Sequence, residues 1–65
     1  MWFDISDYQE FIDYCMELGE TSTEEFYTYA SVLIHCGYKS ALIGYKPNEV
    51  YLDDHEFTHF VLRWS

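Results

Sequence analysis

Residues 6–37 read SDYQEFIDYCMELGETSTEEFYTYASVLIHCG, and two apolar stripes run through them at helical spacing. Tyr8, Phe11, Ile12, Cys15 and Leu18 recur as i, i+3, i+4 and i+7 positions do on one helix face, and Gly19 stands where a left-handed stop is expected. Ahead of them, Ser6-Asp7-Tyr8-Gln9 has the form of a capping box, with a side-chain oxygen at each end to satisfy orphan N–H groups. Ser22-Thr23-Glu24-Glu25 repeats the form, its acids favourably placed near a helix N-terminus. Phe26, Tyr29, Ala30, Leu33 and Cys36 make the second stripe, and Gly37 ends it. Gly19-Glu20-Thr21 is short enough to join the two as an antiparallel helical hairpin.

Beyond Gly37 the period changes. Residues 39–45 are rich in branched and aromatic side chains, Lys46-Pro47-Asn48-Glu49 is a turn, and Val50-Tyr51-Leu52 is a short strand. After an Asp53-Asp54 turn, Thr58, Phe60, Leu62 and Trp64 alternate with His59, Val61 and Arg63, which suits a strand with one face on the core. A helix from Asp54 onward is the competing reading. The opening Trp2-Phe3 packs as an apolar clasp or adds a short strand. The expected fold class is therefore α+β in a single domain over 1–65. An acidic helical hairpin over 6–37 packs on a three-stranded antiparallel meander over 38–65, in the order ααβββ.

Composition bounds the function. The 65 residues carry 12 acids against 3 bases, a formal net charge of −9, yet 49% of them are hydrophobic and 22% aromatic, so the chain is not a disordered acidic tail. One small domain leaves no room for a cofactor fold. No apolar run approaches the roughly 20 residues that span a bilayer. Met1-Trp2-Phe3-Asp4 lacks the features of a signal peptide, so a cytoplasmic location is expected. Residues 1–37 contain eight acids and no Lys or Arg, whereas residues 38–65 contain four acids against Lys39, Lys46 and Arg63, so the halves carry −8 and −1. Charge of this sign disfavours nucleic acid and anionic membrane as ligands and favours a basic protein surface.

His55-Glu56-Phe57-Thr58-His59 matches the H-E-x-x-H pattern of zinc peptidases. On a strand the two histidines would stand ~13 Å apart, too far to share one ion. A third ligand and a substrate cleft would also be needed, so no metal, cofactor or catalytic residue is assigned. Cys15 and Cys36 belong to no CxxC pair. In an antiparallel hairpin Cys15 lies opposite Phe26, leaving Cys36 ~15 Å away along the second helix, beyond the roughly 7 Å that a disulfide allows. Both are read as reduced, buried small apolar residues. His35, beside Cys36, points about 100° away from it, which disfavours the alternative of a Cys–His nucleophile pair.

Helix 1 also has a charged stripe: Glu10, Asp13, Tyr14 and Glu17 share the face opposite Phe11 and Cys15. Its three carboxylates span ~10 Å of helix axis. A DNA strand carries one phosphate about every 3.4 Å, a density of the same order. Glu20, Glu24 and Glu25 continue the charge around the loop. Tyr14 and Tyr27 fall outside their helices' apolar stripes and have the character of interface anchors. An acidic face kept merely soluble usually mixes signs to gain i, i+4 pairs of ~0.2–0.5 kcal/mol, whereas this one bears its repulsion without a single base.

In length, charge bias, the acidic run from Asp7 to Glu25 and its compact α+β reading, the chain resembles the small phage-encoded anti-CRISPR and anti-restriction proteins, and among them inhibitors of type I CRISPR complexes. That resemblance implies a monomeric, non-enzymatic, stoichiometric inhibitor in the bacterial cytoplasm, occluding the DNA-binding subunit of an effector complex without itself touching nucleic acid. It implies that Glu10, Asp13, Glu17, Glu20, Glu24 and Glu25 stand in for phosphates, with Tyr14 and Tyr27 as anchors. The other class of function to weigh is a small intracellular adaptor or antitoxin that caps a basic partner through its aromatic surface.

Overall fold

Trp2–Asp4 (β1) pairs antiparallel with Glu49–Tyr51 (β3), which sets Trp2 opposite Tyr51, Phe3 opposite Val50 and Asp4 opposite Glu49. On its other side β3 pairs antiparallel with Leu42–Ile43 (β2), giving the sheet order β1-β3-β2. The computed structural model describes residues 1–21 and 26–65. Its helices are Gln9–Thr21 (α1), Tyr29–His35 (α2) and Asp54–Trp64 (α3), with a 3-10 turn at Ile5–Asp7. Among the described residues the fold is α+β, with three helices and a three-stranded antiparallel sheet.

The third strand of the sheet is not the expected one. Residues 57–64 are helical, and the opening Trp2–Asp4 supplies the strand instead. Two local features favour the helix. Asp53 is its N-cap, accepting the Glu56 N–H at 2.7 Å. Phe57, Phe60, Val61 and Trp64 then recur at i, i+3, i+4 and i+7, the better of the two periodicities. The alternating reading required Leu62 on the core face, and Leu62 is 80% exposed. The meander expected over 38–65 is thus a hairpin followed by a helix, and the order ααβββ does not describe the chain.

The helical half differs at its ends. Ser6 and Gln9 do not form a capping box: Asp4 accepts from the Ser6 N–H at 2.9 Å to start the 3-10 turn, and the Gln9 Nε2 donates to Asp13 at 3.0 Å. α1 runs through Gly19 to Thr21, whose hydroxyl donates to the Glu17 carbonyl at 3.0 Å, so residues 19–21 are not the hairpin loop. The capping box expected at Ser22-Thr23-Glu24-Glu25 lies outside the described residues. α2 starts at Tyr29, capped by Thr28, which accepts the Ser31 N–H at 3.1 Å. It stops as expected. Gly37 has φ +104°, its N–H bonds to the Ile34 carbonyl at 3.0 Å, and the Tyr38 N–H reaches the Leu33 carbonyl at 2.9 Å. That is a Schellman stop, and the residues on either side of it, Leu33 and Tyr38, are both buried in the core.

One face of the sheet meets the helices. Val50 is fully covered there, and Phe3 packs its ring against Phe57 at 4.8 Å and Phe60 at 5.4 Å. Phe60 is the hub of the core. Its ring also meets Tyr8 at 5.0 Å, Phe11 at 5.2 Å and Tyr38 at 5.9 Å. So β1, α1 and the turn after α2 are all joined through one α3 side chain. A core this small gains volume from rings, each fully buried one contributing roughly 1.5–3 kcal/mol.

Candidate partner-binding surface

The carboxylates of α1 keep one exposed face, although Tyr14 leaves it. Glu10, Asp13, Glu17 and Glu20 are all exposed. At 3.6 residues per turn they fall within an arc of about 80° and along ~15 Å of helix axis. Phe11, on the opposite side of the helix, is buried against Phe60 and Trp64. The packing of one face therefore fixes the outward aim of the other. Glu24 and Glu25 lie outside the described residues.

The two tyrosines part company. Tyr27 is 83% exposed, just ahead of α2. Tyr14 is half-buried: its ring lies 5.3 Å from Trp64 and 6.4 Å from Phe11. At about 100° per residue it sits between the acidic and apolar arcs of α1, and Trp64 of α3 covers it. The contact comes with the helical conformation of residues 54–64, which carries Trp64 in its last turn. Burial pushes the Tyr14 hydroxyl above its ordinary pKa, with further upward contributions from the Cys36 thiol.

Cys36 also acts on Cys15. Burial pushes the Cys15 thiol up to about 11, and proximity to Cys36 adds to the shift. Both cysteines are free and half-buried rather than buried, and the hairpin geometry expected to keep them apart does not hold. Because α2 begins at Tyr29, Cys36 follows only about two turns later and comes back beside α1. The His35 ring lies against Phe26 at 5.1 Å.

The H-E-x-x-H residues lie on a helix, so the strand argument against them fails, yet Glu56 is already engaged. Its Oε2 accepts the Lys39 N–H at 3.0 Å, and its Oε1 accepts the Ser40 N–H at 2.9 Å together with the Ser40 hydroxyl. Burial alone would raise this carboxyl; the hydrogen bonds from Ser40 and Lys39 outweigh it and hold the pKa below its ordinary value. His59 Nδ1 lies 3.3 Å from the hydroxyl of buried Tyr38. No group of three or more His, Cys, Asp or Glu that could hold a metal occurs among the described residues.

A second surface, barely legible from residue order alone, lies on the sheet face turned away from the helices. Trp2, Tyr51 and Leu42 form one cross-strand row there, with Trp2 52% and Leu42 55% exposed and the Trp2 and Tyr51 rings 5.3 Å apart. Tyr45, at the hairpin, is wholly exposed. The signal was present in the alternation of Trp2-Phe3-Asp4, which only the pairing with β3 makes readable. Between α1, the start of α2 and the hairpin runs a groove of about 930 Å³, walled by Cys15, Gly19, Tyr29, Val32 and Ile43 among others.

No helix among the described residues is long and apolar enough to cross a membrane. Comparison with protein-family models, with curated proteins and with solved structures finds no match for this chain.

Proposed function

We propose that this protein is a stoichiometric inhibitor of the small acidic anti-CRISPR kind, docking the exposed face of α1 on a Lys/Arg-lined nucleic-acid channel of a type I effector complex. Glu10, Asp13, Glu17 and Glu20 imitate phosphates, and Glu24 and Glu25 extend the charge. Tyr27 anchors the edge, and Tyr14 supports the face from its packed position against Trp64. The protein acts as a monomer in the bacterial cytoplasm, without catalysis and without binding DNA. The observation that carries this reading is the alignment of four exposed carboxylates on one helix face, in a stretch of 37 residues that has no Lys or Arg.

The test is target-DNA binding by a type I effector complex, measured with and without the protein. Reversing Glu10, Asp13 and Glu17 together to Lys should abolish inhibition while far-UV circular dichroism stays unchanged. Full inhibition by that variant would rule out the α1 face. Electrostatic steering also requires association to slow as salt rises and the Debye length falls below ~8–10 Å.

The exposure of Trp2, Leu42 and Tyr45 favours a second reading, an adaptor or antitoxin that caps a basic partner through its aromatic sheet face. Binding that resists salt, tolerates the α1 reversals and is lost with Trp2→Ala would select it.

A further inference from the structure

His55 and His59 stand one turn apart on α3, and both are exposed. Side chains at i and i+4 bring their Cβ atoms to ≈ 5–6 Å, a spacing at which two imidazoles can share one ion. Two neighbouring carboxylates are committed elsewhere: Asp53 caps the helix through the Glu56 N–H, and both Glu56 oxygens hold the 39–40 turn. Glu56 is thereby held away from a role as general base, and no third His, Cys, Asp or Glu is grouped with the two rings among the described residues.

The surroundings of His59 point the same way. Metal-binding histidines usually donate their second ring N–H to an oxygen, which fixes the tautomer and the ring orientation. Tyr38 is 96% buried by its 4% residual exposure, so its hydroxyl is a fixed point, and it lies 3.3 Å from His59 Nδ1. When Nδ1–H donates to Tyr38, the lone pair of His59 is on Nε2.

We propose that His55 and His59 form a two-nitrogen site for a borderline divalent transition-metal ion, with Zn²⁺ as the reference case, and that Tyr38 is its positioning residue. Imidazole donors suit zinc, copper and nickel rather than the hard ions. No third His, Cys, Asp or Glu completes the set among the described residues, so the remaining coordination positions are filled by water or by a donor from outside. The net charge of −9 raises the cation concentration around the protein as a whole. This site is independent of the inhibitor reading, which uses α1.

Titration with zinc chloride at neutral pH, followed by calorimetry and by the histidine ring resonances, tests the proposal. One ion per chain should bind, shifting the His55 and His59 rings. His55→Ala and His59→Ala should each weaken binding at least tenfold, with unchanged circular dichroism because both positions are exposed. Tyr38→Phe, which keeps the buried ring, should weaken it by about tenfold, the lower end of the cost of losing such a supporting contact. Absence of saturable binding overturns the site, as does undiminished binding by the double His55→Ala/His59→Ala variant. Equal affinity in Tyr38→Phe overturns the positioning role.

Discussion

The Ser40 hydroxyl donates to the Glu56 carboxylate, and this bond joins the turn after α2 to the first turn of α3. The same hydroxyl oxygen accepts the Asp53 N–H at 3.0 Å. In an ordinary capping box the carboxylate three residues into the helix would reach back to that N–H itself. Here the box is closed through Ser40, so a local helix-start signal becomes a tertiary link across 16 residues.

Removing that link should cost more than a surface substitution. Glu56→Ala deletes acceptors for three hydrogen bonds, two of them from backbone N–H groups, and should destabilise the fold by about 2–3 kcal/mol. Thermal unfolding should then fall by roughly 10 °C or more, given 4–8 °C per kcal/mol for a domain of this size. Asp54→Ala, with no partner role in the link, should shift the midpoint by no more than a few degrees. Circular dichroism melts compare the three proteins directly.

The helical assignment of residues 54–64 can be checked with two neighbouring side chains. A strand would bury Phe60 and Leu62 alike, whereas the helix buries Phe60 completely and leaves Leu62 80% exposed. Phe60→Ala should cost about 3–5 kcal/mol and leave a chain of this size largely unfolded at 25 °C. Leu62→Ala should stay within about 0.5 kcal/mol of the parent. Denaturant titration separates the outcomes.

Asp4 gives the fold an acid-sensitive corner. Hydrogen bonds from the Ser6 hydroxyl and the Ser6 N–H hold its carboxyl below the ordinary value of 3.8. A lowered folded pKa means that the contribution is present above about 3.8 and is lost as pH falls through the folded value. The Ser6 amide resonance should therefore titrate below the usual aspartate range, and Ser6→Ala should move the Asp4 midpoint back towards 3.8.

Cys15 is expected to be a poor nucleophile. With its thiol pushed up to about 11, chiefly by burial, the thiolate is scarce at pH 8 and alkylation by iodoacetamide should be slow until the chain is unfolded. The raised value also means that folding favours the neutral thiol. That contribution is full below the ordinary value of 9.0 and fades as pH climbs towards 11. Mass spectrometry of timed alkylation in buffer and in denaturant measures the difference.

What could be read from the chain alone was local. The apolar stripe from Tyr8 to Leu18, the left-handed stop at Gly37 and the aim of Glu10, Asp13 and Glu17 away from Phe11 follow from periodicity and from glycine's freedom at φ +104°. The Asp53-to-Glu56 cap is equally local, but the alternation around Phe60 competes with it. Other features depended on distant partners. Trp2–Asp4 becomes a strand because Glu49–Tyr51 lies beside it, nearly 50 residues along the chain. Tyr14 leaves the exposed face because Trp64 covers it, Cys36 comes to Cys15 because α2 starts late, and Glu56 is engaged because Ser40 folds back onto it. Side-chain spacing encodes which face of an element is apolar, but not which surface will cover it. The sequence therefore determined where the charge lies, and only the packed chain decided which aromatic, thiol and carboxylate groups were left to act.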